Sequence, residues 1–353
     1  MSNYSIKAID AIQEAQKIAF APFVFQATVT LRKLGVFDLI FSNRKKGGVS
    51  TNVISKELNI SAYGVSVLLE IAETSNIVSK NDLGFFELTT IGYFLAYNET
   101  VNVNINFTNE VCYKGLFHLD ESIKSGKPEG LKELGNWKTI YEGLSQLSPI
   151  QQKAWFEFDH HYSDDIFSEA LEIVFKKERK SMFDIGANTG KFTIRCCKFN
   201  DQVSITMIDL PGQLKMALSN VKNEGLQTRV KAHEIDWLSE NPQIPMGADT
   251  IWMCQFLDCF SQEEVLKVLK ICVASMDEHT ELIIVETFTD RQKFDNAKFI
   301  LEATSLYFTV LANGNSKMYK AEEFKTLAKL AGLKLKEDIA IGEYHTMLTF
   351  SKN

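Results

Sequence analysis

Five apolar runs rich in β-branched residues recur along the second half of the chain, at 181–186, 203–208, 229–235, 249–254 and 281–286. Each is followed by a helical stretch or a loop. Strands that alternate with helical crossovers run parallel, and a parallel sheet needs helices on both faces. The rhythm therefore predicts an α/β fold built on a doubly wound sheet. Within it, a helix over 261–276 opens with Ser261 and carries Glu264 three residues on, a capping box, and buries Val265, Leu266, Val268, Leu269 and Cys272. Two closing runs, 333–341 and 344–351, are separated by Gly342 and predict a terminal hairpin.

The first run ends in Asp184-Ile185-Gly186-Ala187-Asn188-Thr189-Gly190, and a helical pattern starts at Lys191. Gly186 and Gly190 let backbone approach a ligand where a Cβ would collide, and Asn188 tolerates a left-handed conformation. The G-x-N-x-G spacing departs from the G-x-G-x-x-G of dinucleotide sites. The second run ends at Asp209, nineteen positions past Gly190. From that spacing an acid reaches a ribose hydroxyl, so the pair points to a nucleoside-bearing cofactor.

The loop resembles the D/E-x-G-x-G-x-G loop of class I S-adenosylmethionine-dependent methyltransferases, and Asp209-Leu210-Pro211 resembles the D-L-P of small-molecule O-methyltransferases of the plant type and their bacterial relatives. The likeness implies a Rossmann-like sheet with an antiparallel terminal strand and S-adenosyl-L-methionine as cofactor. Asp184, Gly186, Asn188 and Gly190 would then cradle it, with Asp209 and Leu210 at the ribose. Asp236 of His233-Glu234-Ile235-Asp236-Trp237 would meet the adenine amino group, with Trp237 beside the ring. Ligands of an open parallel sheet sit beyond the carboxyl ends of its strands, so Gln255, just after the fourth run, faces the transferred methyl group.

Upstream, Ile6, Ile9 and Ile12 predict an opening amphipathic helix, Pro22 a second one that carries Val24, Val29, Leu31 and Leu34, and Gly35 its end. Two short helical patterns over 50–80 and a strand at 85–88 resemble a winged helix. Residues 1–105 hold nine Lys/Arg and nine Asp/Glu, too balanced for a nucleic-acid surface. In the resembled family this α-helical unit joins two subunits and lids the partner's active site, which implies a homodimer. Residues 106–175 form a linking layer rich in aromatics, and 176–353 the catalytic domain. The family builds substrate walls in the linking layer, which makes Trp155, Phe158 and Tyr162 candidates, with Phe299 and Tyr307 from a helix over 295–311. Ser125-Gly126-Lys127-Pro128 resembles the family's S/T-G-K-P turn.

Composition narrows the rest. A formal charge of −7 argues against nucleic acid or an anionic membrane as partner. Cys112, Cys196, Cys197, Cys254, Cys259 and Cys272 show no C-x-x-C spacing and read as reduced core thiols, with no metal site expected. No run reaches the roughly 18 apolar residues of a membrane span, and no signal-peptide pattern opens the chain, so a cytoplasmic protein is expected.

The segment Leu257-Asp258-Cys259-Phe260-Ser261-Gln262-Glu263-Glu264 resembles the family string L-H-D-W-S-D-E-E, whose histidine is the general base. Aligned on its serine and paired acids, the histidine position is Asp258. An ordinary carboxylate faces a phenol across about 6 pK units, roughly 8 kcal/mol. Burial among Phe256, Leu257 and Phe260 could narrow that gap, His160 or His161 could act instead, alignment alone could suffice, or the acceptor could be a ring carbon. Asp258 is also placed to cap the following helix. Glu286 stands at a family strand-end acid. The expected function is methyl transfer to a small aromatic molecule, at a phenolic hydroxyl; the alternatives are a carbon methyltransferase and a silent binding protein.

Overall fold

In the computed structural model, which describes residues 6–353, the first helix runs unbroken from Ala8 to Lys33 and straight through Pro22, where the sequence predicts a new start. Proline removes one donor from a helix already nucleated on both sides, and extending such a helix is easier than starting another. Its last turns bury Thr28, Val29 and Leu31, whereas Ile9, Ile12, Ile18, Phe20 and Phe23 stay exposed. Gly35, at a φ of 74°, turns the chain into Val36–Ser42. Ser50 and Ser61 cap Thr51–Leu58 and Ala62–Thr74 by accepting the N–H of Val53 and Gly64. The stretch to residue 80 is not all helix. Asn76 adopts a φ of 57°, and β1 (Val78–Lys80) then pairs antiparallel with β2 (Phe86–Leu88) as a wing. Leu31, Phe37, Ile40, Ile54, Leu69 and Phe86 form the core of this unit, Met1–Asn109.

The second unit, Glu110–Asn353, contains one sheet of seven strands: β3 (Ser181–Ile185), β4 (Ser204–Asp209), β5 (Val230–Glu234), β6 (Thr250–Cys254), β7 (Glu281–Glu286), β8 (Leu333–Ile341) and β9 (His345–Lys352). Their order is β5-β4-β3-β6-β7-β9-β8. The pairs from β5 to β7 are parallel, and β9 runs antiparallel between β7 and β8 with Ile283 opposite Thr349. The terminal hairpin thus inserts its last strand beside β7 and leaves β8 at the edge. Two cores cover the sheet, one including Val265, Leu269, Phe324 and Leu327, the other Phe167, Phe192, Cys196 and Leu214. This is the doubly wound arrangement.

Strand order reverses between β3 and β6, so the chain leaves these two neighbours in opposite directions and opens a crevice at their carboxyl ends. That crevice positions the site. No described helix is long and apolar enough to cross a membrane, and no described group of three or more His, Cys, Asp or Glu is arranged to hold a metal.

Candidate active site

The loop after β3 is held by side chains that reach it from three directions. Gly186, Asn188 and Gly190 take φ of 73°, 49° and 81°. A Cβ on Gly186 would come within 2.6 Å of the Phe256 ring, so glycine is what lets this loop lie against the turn after β6. Asp209, ending β4, accepts the N–H of Asn188 at 2.8 Å on one carboxyl oxygen and that of Leu210 at 2.7 Å on the other. Burial raises its carboxyl to about 6 against the pull of those two bonds. Asp184 is 3% exposed and accepts the Thr193 hydroxyl at 2.5 Å. Burial lifts it to about 7.

The third direction is the helix Pro149–Ser163 and the turn that follows it. Asn188 Nδ2 donates to Asp159 Oδ2 at 2.8 Å, the Thr189 hydroxyl lies 3.2 Å from His160 Nε2, and Lys191 pairs with Asp164 at 2.7 Å. Loop and helix border a cleft lined by Asp159, His160, Asp164, Asp184, Gly186, Asn188 and Gln255. Gln255 holds a φ of 47°, unusual for a side chain of its size, and its amide lies 3.3 Å from His345 Nε2. Burial lowers His345 to about 4, so it is neutral around pH 7.

Beyond Gln255, Asp258 sits in the single turn Leu257–Cys259, 6% exposed. Glu286, ending β7, accepts the N–H of Phe256 at 3.1 Å and of Leu257 at 3.0 Å on Oε1 and so fastens the turn that carries Asp258. Burial raises Asp258 to about 7, the Cys259 thiol at 3.4 Å opposes the shift, and the charge of Asp159 adds to it. Burial and then Asp258 push Glu286 well above the ordinary range. Asp258 is not the cap of the next helix. Ser261 and Glu264 close a reciprocal capping box at the start of Gln262–Ser275, which leaves Asp258 to other work.

Among the aromatic candidates, Trp155 donates its indole N–H to the Tyr307 hydroxyl at 2.8 Å, both residues buried. Phe158 and Tyr162 meet edge to face at 5.2 Å, and His161 packs on Tyr162 at 5.3 Å. Phe299 is 69% exposed and walls nothing within this chain, because Asp295–Tyr307 turns that side outward. Asp236 is exposed and accepts the N–H of Leu238 at 2.9 Å, outside the cleft lining. Trp237 is 5% exposed against Phe256, its indole N–H without an acceptor among the described residues. Asp159, Thr193 and His345 escape sequence reading. Asp159 directly precedes His160, but nothing in the string Glu157-Phe158-Asp159 marks which residue turns toward the loop.

Residues 118–334 match a family model described as the O-methyltransferase domain. The chain belongs to the O-methyltransferase domain family. Residues 13–85 of this methyltransferase match a Dimerisation2-like domain. It is 20% identical over 319 residues to the L-tyrosine C(3)-methyltransferase of Streptomyces lavendulae, covering 89% of this chain and 85% of that one. It is equally 20% identical to a phenazine O-methyltransferase of Lysobacter antibioticus, covering 89% and 88%. In fold it is similar to an O-methyltransferase from neocarzinostatin biosynthesis solved with S-adenosylmethionine and 2-hydroxy-5-methyl naphthoic acid, with a TM-score of 0.70, 17% identity and coverage of 93% and 96%.

As its family implies, the methyltransferase uses S-adenosylmethionine. Its residues fit that cofactor. The glycine loop presents backbone rather than side chain to the cleft, and a carboxyl ends the neighbouring strand.

Proposed function

We propose that this methyltransferase transfers its methyl group to the phenolic oxygen of a small aromatic acceptor, with Asp258 taking the proton. S-adenosylmethionine, when bound in the cleft, supplies an electrophilic methyl on sulfur. The chain's own task is then to hold the cofactor, align the acceptor and move one proton. We assign the cofactor's ribose to Asp209, whose carboxyl keeps lone pairs beyond the two backbone bonds it accepts.

One observation carries the reading. Asp258 stands buried at the carboxyl end of β6 with its carboxyl near 7, and no described lysine or arginine is paired with it. Burial moves this carboxyl toward a phenol's range and narrows the gap that an ordinary carboxylate leaves. The remainder shrinks along the reaction, because an oxygen that gives its electron pair to carbon becomes more acidic. Phe158 and Tyr162, half-buried and edge to face, offer flat apolar surface for an aromatic ring, and an L-tyrosine C(3)-methyltransferase and a phenazine O-methyltransferase are named for aromatic compounds.

The similarity to an L-tyrosine C(3)-methyltransferase favours one second reading, in which a ring carbon beside the phenol is methylated. The same carboxylate would serve, since deprotonating the phenol activates that carbon. A panel of phenols incubated with methyl-labelled cofactor separates them by nuclear magnetic resonance. An O-methyl signal is expected; a C-methyl signal alone overturns the oxygen assignment, and no labelled phenol overturns both.

We further infer a homodimer formed through the N-terminal unit. The exposed Ile12, Ile18, Phe20 and Phe23 of Ala8–Lys33 and the match to a Dimerisation2-like domain support it. Light scattering should give twice the 40.0 kDa of one chain at micromolar concentration, and a monomeric mass there removes the inference.

A further inference from the structure

We infer that Asp159 holds the α-ammonium group of the cofactor's amino-acid arm, an inference that rests on the cleft between β3 and β6 being the cofactor site. Three carboxyls line that cleft: Asp159, Asp164 and Asp184. An ammonium ion drawn out of water needs an anionic acceptor with a lone pair still to give. Two of the three are already committed.

Asp184, the acid of the glycine-loop motif, is 3% exposed and closed off by the Thr193 hydroxyl at 2.5 Å. It braces the loop against the helix Lys191–Phe199, which contains Thr193. Asp164 is paired with Lys191 at 2.7 Å and lies 3.5 Å from His160 Nδ1. These two neighbours hold its carboxyl below the ordinary value although burial opposes them. A second cation there would compete with Lys191.

Asp159 differs on each count. No described lysine or arginine forms an ion pair with it, and His160 Nδ1, 3.9 Å away, is nearer to Asp164. Its Oδ2 takes the Asn188 amide at 2.8 Å, and Oδ1 makes no hydrogen bond among the described residues. The side chain keeps 28% of its surface open inside the cleft, although the surrounding protein is dense enough for burial to raise its carboxyl. A carboxyl so placed lacks a counter-ion, and a ligand ammonium provides one. Asn188 fixes the oxygen it does not use, so the carboxylate is oriented before the ligand arrives.

Two ligands separate this role from a merely structural one. S-adenosylhomocysteine carries the ammonium-bearing arm, and 5′-methylthioadenosine keeps the adenosine and the sulfur without it. In calorimetry on the full chain, Asp159→Asn should weaken S-adenosylhomocysteine about tenfold or more and leave 5′-methylthioadenosine within about twofold. Asp159→Glu, which restores the charge, should recover most of the preference for the arm. An unchanged affinity for S-adenosylhomocysteine overturns the assignment. So does an equal loss of both ligands, which would mean that Asp159 acts only through Asn188. If the wild-type chain binds neither ligand, the cleft itself is misread, an outcome distinct from the failure of Asp159 alone.

Discussion

Asp258→Asn lowers turnover by about 10²- to 10³-fold and leaves the affinity for S-adenosylhomocysteine within about twofold. The amide has the shape of the carboxyl but takes no proton at neutral pH, so only the chemical step should suffer. The turn that carries it should survive, because the Phe256 and Leu257 amides are held by Glu286 and the capping box by Ser261 and Glu264. The pH profile is the sharper test. A carboxyl raised to about 7 is half ionised there, so wild-type kcat/KM should climb as pH rises through about 7 and then level, and the variant should lack that limb. Stability should move the opposite way. Between the ordinary value of 3.8 and about 7 the folded chain keeps a proton that the unfolded chain has released. The stability it contributes is therefore full below 3.8 and lost as pH rises through about 7, so Asp258→Asn should melt higher relative to wild type at pH 8 than at pH 5. Full turnover in Asp258→Asn would move the base elsewhere, with His160→Ala and His161→Ala as the next variants.

Asp209→Ala is expected to weaken S-adenosylhomocysteine by about 10- to 100-fold in calorimetry, the equivalent of about 1.5–3 kcal/mol for a hydrogen bond to a charged group. Two effects add. The ribose loses an acceptor, and the N–H of Asn188, until then 2.8 Å from Asp209, loses the group that steadies a residue at a φ of 49°. Asp209→Asn retains one carbonyl oxygen and should fall between. An unchanged affinity for the alanine variant would remove the ribose assignment.

Much of the framework was legible because it depends on neighbours in sequence. Alternating apolar runs located β3 to β7 within a residue or so, and Ser261 with Glu264 marked the capping box. Pro22 misled, since a rule about single residues does not weigh the helix on both sides. Phe299, expected as a substrate wall, is exposed within one chain, because an aromatic on a helix has no inside until the helix is docked.

By itself the sequence determined the alternation that forces a parallel sheet, the glycine loop and the acid one strand over, because each is a short-range demand of backbone sterics and periodicity. Only the tertiary structure decided what each carboxyl does. Asp184 is spent on Thr193, Asp164 on Lys191, and Asp159 and Asp258 are left without a lysine or arginine partner among the described residues. Those partners lie 9 and 27 positions away, and the ionisation of a buried acid depends on the charges and the water around it, which the chain acquires only when the helix ending at Ser163 packs beside the loop after β3.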